Sequence, residues 1–251
     1  MLIIGYIDIN KNKRNIVLFI HPMLFSAEGM KKLIADHIGN KYRYIIPELS
    51  AHGELLDKKY LSARQESENL YNYLKENRID EISLALGVSI GGVVLLELLN
   101  YKDIKINRAL FEGCSLWQNA GVLELVVRNI FRCKQRKAIK NKELANKKMK
   151  SIYGEAIGRV MTQHFTRIDV QSIKNICHDC AFVNLPKLSE EEQKRCIFCY
   201  GSKEFDLKCA RRVIPQKYPY ATLKMWDRQS HCTKITTNTA EYCEMLKTQI
   251  D

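Results

Sequence analysis

One stretch limits the fold more than any other. A short apolar run from Ile82 to Leu86 leads into Gly87-Val88-Ser89-Ile90-Gly91, and an apolar run of helical length, Val93 to Leu99, follows at once. The spacing predicts a buried strand, a tight turn and a buried helix with no loop between them. A serine hydroxyl is a poor nucleophile at neutral pH, and chemistry at Ser89 requires it to be lifted from the backbone where a base can reach it. Small residues on either side relieve the crowding of such a turn, and Gly92 gives further room for helix to pack on strand. A glycine-rich turn from strand to helix can also cradle phosphate. The spacing here is not G-x-G-x-x-G, and no lysine follows as in a P-loop.

Around this segment the chain alternates. Short β-branched, apolar runs from Ile16 to Ile20, Tyr42 to Ile46, Ile106 to Phe111, Cys196 to Tyr200 and Leu223 to Trp226 predict strands. Stretches of helical period separate them: Met30, Leu33, Ile34 and His37 behind a Ser26 cap, then Leu70, Tyr73 and Leu74. Strand, helix and strand in repetition imply an α/β fold, a mostly parallel sheet covered by helices on both faces. The opening run, Leu2 to Ile9, reads as an antiparallel edge strand. Residues 115–195, about eighty in all, break the alternation with helical period and no convincing strand. The expected organisation is therefore a core of residues 1–114 and 196–251, carrying a helical insertion at 115–195.

A chain of 251 residues that is 46% hydrophobic can bury a sizeable core as one domain. The residues before Asp8 are too few for a signal-peptide apolar region or a bilayer span, so a cytoplasmic protein is expected. Nine cysteines, an odd number, read as reduced thiols. Cys177/Cys180 and Cys196/Cys199 have the spacing of a structural zinc site. The second pair falls in an expected strand, where residues three apart face opposite ways, and no metal is expected there. The net charge of +12 is concentrated: ten of the 40 basic residues lie between Arg128 and Lys150, against the single acid Glu143. A solvated helix face accounts for this most simply, and steering of an anionic substrate comes next. Nucleic acid comes last, because only Phe131 interleaves with the cations.

The chain resembles the α/β-hydrolase superfamily over most of its length outside the insertion. Besides the serine pentapeptide, His21-Pro22-Met23 stands where the family has His-Gly and an oxyanion-hole residue. Pro47-Glu48-Leu49-Ser50-Ala51-His52-Gly53 is similar to the family's Pro-Asp-x-x-Gly-His-Gly segment. The insertion after Phe111 falls where the family carries a cap. The family order of nucleophile, acid and histidine implies that Ser89 is followed by an acid on the loop after Tyr200 and a histidine after Trp226. His231 is that histidine, while His52 reads as structural and His37, His164 and His178 as solvated or capping groups in helices. Glu204 stands at the fourth position of the turn that begins at Gly201, as the family's acid does. Asp206 is the alternative acid, also suited to capping the helix that follows, and Glu112 lies where some relatives place theirs. The oxyanion donors implied are the amides of Met23 and Ile90. Pro22 departs from the family glycine and has no N–H to give.

The resemblance implies a serine hydrolase acting on a carboxylic ester or related small-molecule acyl substrate, with no cofactor. A small-molecule receptor on the same fold is the second reading. The apolar positions Val122, Leu123, Val126, Ile130 and Phe131 read either as a greasy lid over the site or as a helix packed on the core. The acyl chain, the leaving group and the oligomeric state are left open.

Overall fold

The structure, a computed structural model, describes residues 5–250. Strands are β1 (Tyr6–Ile9), β2 (Ile16–Ile20), β3 (Arg43–Pro47), β4 (Glu81–Ile82), β5 (Leu84–Val88), β6 (Lys105–Ile106), β7 (Ala109–Glu112), β8 (Cys196–Gly201) and β9 (Thr222–Trp226). Helices are α1 (Ala27–Met30), α2 (Asp36–Ile38), α3 (Ala63–Glu76), α4 (Ile90–Leu98), α5 (Gly121–Lys140), α6 (Lys142–Tyr153), α7 (Glu155–Arg167), α8 (Val170–Ala181), α9 (Glu190–Lys194), α10 (Asp206–Lys217), α11 (Thr233–Thr237) and α12 (Thr239–Ile250). Seven strands form one sheet in the order β1-β3-β2-β5-β7-β8-β9, and β4 and β6 form a separate two-stranded pair. Only β1 runs antiparallel, against β3; every other neighbour in the seven-stranded sheet is parallel. The expected opening strand is present over Tyr6–Ile9, and its residues 2–4 lie outside the described residues.

Each face of the sheet carries its own apolar core. On one, Leu18, Ile20, Ala85, Phe111 and Phe198 meet α3, α4, α8 and α10 through residues such as Leu74, Val94, Ile173 and Val213. On the other, Val17, Phe19, Leu84, Leu86 and Leu110 meet α12 and the α1–α2 segment through Leu246, Tyr242 and Ile34. Alternation along the strands makes this possible, since successive side chains point to opposite faces. Cys196 lies in the first core and Cys199 in the second, so the two thiols of this pair stand on opposite sides of β8. All nine cysteines are free.

Several expected boundaries shift. The strand that leads to Ser89 is Leu84–Val88, because Ser83 donates to the Ile16 carbonyl at 2.9 Å and hands the chain from β6 to β2, leaving Ile82 in the small pair. The strand expected from Ile106 is likewise split, with β7 beginning at Ala109. Ser26 caps α1, accepting from the Gly29 amide at 3.1 Å. A π-helical turn, Lys31–Ala35, then widens the helix, so Ile38 rather than His37 continues the buried face of Met30 and Ile34. In α3, Leu70, Tyr73 and Leu74 are buried as the period requires.

Residues 115–195 contain α5 to α9 and no strand. The segment leaves the sheet from β7 and returns to it at β8, its neighbour. No helix among the described residues is long and apolar enough to cross a membrane.

Candidate active site

The serine sits at a strained corner. β5 delivers it to the carboxyl edge of the sheet, and its backbone takes φ 53° and ψ −117°, a region that side chains rarely adopt and that costs about 1–3 kcal/mol. The Ser89 amide donates to the Glu112 carbonyl of β7 at 2.8 Å, and its carbonyl accepts from Gly92 at 2.9 Å. Gly91 has to be glycine, because a Cβ there would lie 2.3 Å from the Ile20 carbonyl oxygen of β2. α4 therefore starts flush against the sheet, with Ile90 as its first residue and an N–H that no intrahelical carbonyl can accept.

The other two groups arrive on the loops after β8 and β9. Gly201 approaches Gln229 so closely that a Cβ would fall 2.4 Å from the Gln229 carbonyl oxygen, and the Lys203 amide donates to that oxygen at 3.0 Å. The two loops are thus bound to each other. Glu204 turns back on its own strand: its amide donates to the Gly201 carbonyl at 3.0 Å, and its Oε2 accepts from the Gly201 amide at 3.0 Å. Its Oε1 is left for His231 Nδ1, 2.5 Å away, and His231 Nε2 lies 3.0 Å from Ser89 Oγ. Hydroxyl, imidazole and carboxylate are in line, although 142 residues separate the first two in sequence and 27 the last two.

Burial opposes an imidazolium at His231, yet its pKa lies well above the ordinary value, because the Cys232 sulfur and the Glu204 carboxylate beside it both favour the charged ring. Burial pushes the Cys232 thiol up to about 11.

The two alternative carboxylates have other partners. Asp206 is the first residue of α10 but does not cap it; the cap position belongs to Phe205, with no side-chain bond. The expected capping role is therefore absent. Asp206 instead turns into the pocket, where its Oδ1 accepts from the Trp117 indole at 2.9 Å and burial raises its pKa. Glu112 is buried beneath the site, where Trp226 Nε1 at 3.0 Å and Tyr242 Oη at 3.2 Å donate to its Oε2, and burial raises its pKa to about 8. Nδ1 of His231 pairs with neither.

Pro22, Met23, Ser89, Ile90, Glu204, Asp206 and His231 all line one cavity of about 470 Å³, within the range of small-molecule sites. Most of its remaining wall is apolar, and much of that comes from residues 115–195: Trp117, Leu123, Val127, Phe131, Met149 and Ile157 among them. The five apolar positions read from the sequence as either a lid face or a core-packed face divide between the cavity and solvent. Leu123 and Phe131 line the cavity, whereas Val122, Val126 and Ile130 point to solvent at 79%, 50% and 45% exposure. The inward stripe is Leu123, Val127 and Phe131, a spacing of four that the sequence carries but that its apolar neighbours obscure.

The remaining histidines divide. His52 is fully buried, and burial lowers its pKa to about 3, in keeping with a structural role. His37 and His178 are exposed, the latter 3.2 Å from Glu124. His164 departs from expectation: it is half-buried, and burial and the nearby His21 lower its pKa. His21, also buried, reads the loop beside the site, with Nδ1 2.8 Å from the Pro22 carbonyl and Nε2 3.0 Å from Glu48.

Among the described residues, Glu204, Asp206 and His231 form the one group of at least three potential ligands whose donor atoms lie within 4.8 Å of one another. Two of these three side chains are already bonded to each other and the third to Trp117, so the set is satisfied by hydrogen bonds as it stands. The four cysteines of the zinc-like pattern form no such group among the described residues; burial drives Cys177 and Cys196 each up to about 12, which disfavours the thiolate a metal needs.

No protein-family model matches the chain, and no curated protein matches it by sequence. Solved structures do match by shape. An α/β hydrolase family protein from Desulfitobacterium hafniense superposes with a TM-score of 0.72 at 15% identity, over 98% of this chain and 100% of that one. A structure from a study of carboxylesterases of the thaumarchaeon Nitrososphaera gargenis gives 0.73 at 14% identity, over 97% and 92%. A thermophilic esterase from Thermogutta terrifontis gives 0.71 at 12%, over 98% and 94%.

Proposed function

We propose, from the α/β-hydrolase fold that these likenesses establish, that the protein is a serine hydrolase acting on a carboxylic ester or related acyl substrate. The observation that carries this is the run of contacts from Ser89 Oγ through His231 to Glu204 Oε1 at the mouth of an apolar cavity. Esterases recur among proteins of the same shape, which supports the reaction class at low identity.

In the proposed reaction His231 Nε2 takes the proton of Ser89 as the oxygen attacks the acyl carbonyl carbon, and the carbonyl π electrons move to oxygen. Glu204 holds the proton on Nδ1, fixes the tautomer and stabilises the imidazolium. The tetrahedral oxyanion is held by the amides of Ile90 and Met23; Pro22 is not required to donate. Collapse expels the alcohol, thiol or amine, which takes the proton from His231. Water activated by the same imidazole then hydrolyses the acyl-serine and restores the hydroxyl. Each proton taken by His231 is returned, so no cofactor enters the balance. The apolar wall suits an acyl chain better than a charged group, and the lining carries charges of both signs, Asp206 and Lys134 among them.

A fluorophosphonate probe tests the nucleophile without knowledge of the substrate. Stoichiometric labelling at Ser89, abolished in Ser89→Ala, is expected; a folded protein that resists labelling while binding small esters would instead be a receptor.

The pH profile follows from the His231 environment. Only the neutral imidazole can accept the serine proton, and its pKa is raised, so kcat/KM is expected to be low in acid and to rise with pH through a midpoint above 6.5. Glu204→Gln removes the principal negative charge and is expected to move that midpoint downward. A wild-type midpoint below 6.5 would contradict the assigned pair.

A further inference from the structure

The outward face of α5 has no role in the chemistry above. Val122, Val126, Ile130, Cys133, Lys137 and Lys140 follow one another at spacings of four and three, which places them on a single stripe of this 20-residue helix. All six are exposed. The stripe changes character along its length: aliphatic at the amino-terminal half, cationic at the other. Leu125, at 49% exposure, widens the apolar half, while Arg136 flanks the basic one.

Opposite charges three or four residues apart on a helix attract one another. Here the segment's ion pairs stand at its ends, Arg128 with Glu124 at 3.7 Å and Lys150 with Glu155. Among the described residues Lys134, Arg136, Lys137, Lys140, Lys147 and Lys148 enter no ion pair, and Glu143 is the only acid between Arg128 and Lys150.

We propose that the outer stripe of α5 docks the protein on an anionic lipid bilayer. Charge complementarity selects this occupant: headgroup phosphates meet the unpaired cations, while acyl chains take up the exposed aliphatic half of the same stripe. Nucleic acid meets only the first requirement, since no aromatic side chain stands on the stripe for base stacking. A second copy of the chain would bring like charges together. The opposite face of the same helix, Leu123, Val127 and Phe131, lines the cavity that holds Ser89. A bilayer-bound α5 thus stands between the lipid and the cavity.

Sedimentation of the full-length protein with phosphatidylcholine vesicles, with and without phosphatidylglycerol, tests the proposal. Binding is expected only with the anionic lipid and should weaken with added salt. Lys137→Glu/Lys140→Glu is expected to weaken it tenfold or more, whereas Lys208→Glu/Lys217→Glu, the same charge change on exposed residues of α10, should weaken it far less. Val126→Asn/Ile130→Asn, at exposed positions that the fold does not need, should also reduce binding. Ser89→Ala should bind as wild type does, which separates this result from the fate of the hydrolase reading. Failure to bind anionic vesicles, equal losses from the α5 and α10 reversals, or displacement by a short DNA duplex at matching affinity would each overturn the proposal.

Discussion

Ser89→Ala is expected to lower turnover of short p-nitrophenyl esters by about 10⁴-fold or more while leaving the melting temperature near that of wild type. The side chain is half-buried and contributes one contact, to His231 Nε2 at 3.0 Å, so its loss removes the nucleophile and little packing. The strained backbone is kept by the neighbours of Ser89, through the Glu112 carbonyl on its amide and the Gly92 amide on its carbonyl. Alanine inherits that conformation at similar cost. His231→Ala is expected to cost about as much, and the double substitution little more, because groups that act as a unit are lost as a unit. Retention of more than about a tenth of the activity by Ser89→Ala would remove Ser89 from the reaction.

Nearly as large is the effect expected at the acid. Glu204→Gln should remain folded and lose about 10⁴ in kcat, because the amide no longer holds the required tautomer or charge. The geometry distinguishes it from its neighbour. Glu204 spends one oxygen on His231 and the other on the Gly201 amide, whereas Asp206 spends its own on the Trp117 indole. Asp206→Asn keeps an oxygen to accept from Trp117 and removes a carboxylate whose charged form burial disfavours, so it should stay active and lose no stability. Turnover and thermal melting on the same preparations settle the matter. An inactive Asp206→Asn beside an active Glu204→Gln would transfer the role to Asp206, and two active variants would direct attention to Glu112.

How far the sequence revealed these features depends on the range of the interaction that makes them. The alternating strands are legible because burial on both faces leaves only apolar residues, as in the all-buried Leu84–Val88. The break at Ser83 was not, since it depends on which neighbouring strand, β2 or β6, receives the hydrogen bonds. Ser89 is legible from turn chemistry, Glu204 and His231 from the order and spacing that the family resemblance implies, and the structure brings all three together. The capping role that the sequence suggests for Asp206 is not made; a carboxylate at the start of a helix has the signature of a cap whether or not it makes one. The inward face of α5 was blurred for a simpler reason: Val122 and Leu123, or Ile130 and Phe131, are equally apolar, and only the cavity decides which of each pair turns inward. His164 is not distinguishable from a solvated histidine in sequence, because the surroundings that lower its pKa include His21, far away along the chain.

The attachment of residues 115–195 bears on how such a chain can change. This segment departs from the carboxyl end of one strand and rejoins at the amino end of its parallel neighbour, where Cys196 faces Ala109 rather than Glu112, so its two ends lie about a strand length apart, on the order of 10 Å. The entropic cost of lengthening a surface loop within such a crossover grows only with the logarithm of its length. Ser89, Glu204 and His231 lie outside it, each on a turn fixed by the sheet. On the proposed function, the reacting groups and the apolar wall contributed by α5 belong to separate stretches of one chain, and exchanging the cavity-lining Leu123, Val127 and Phe131 is expected to alter substrate preference while leaving the reacting groups in register.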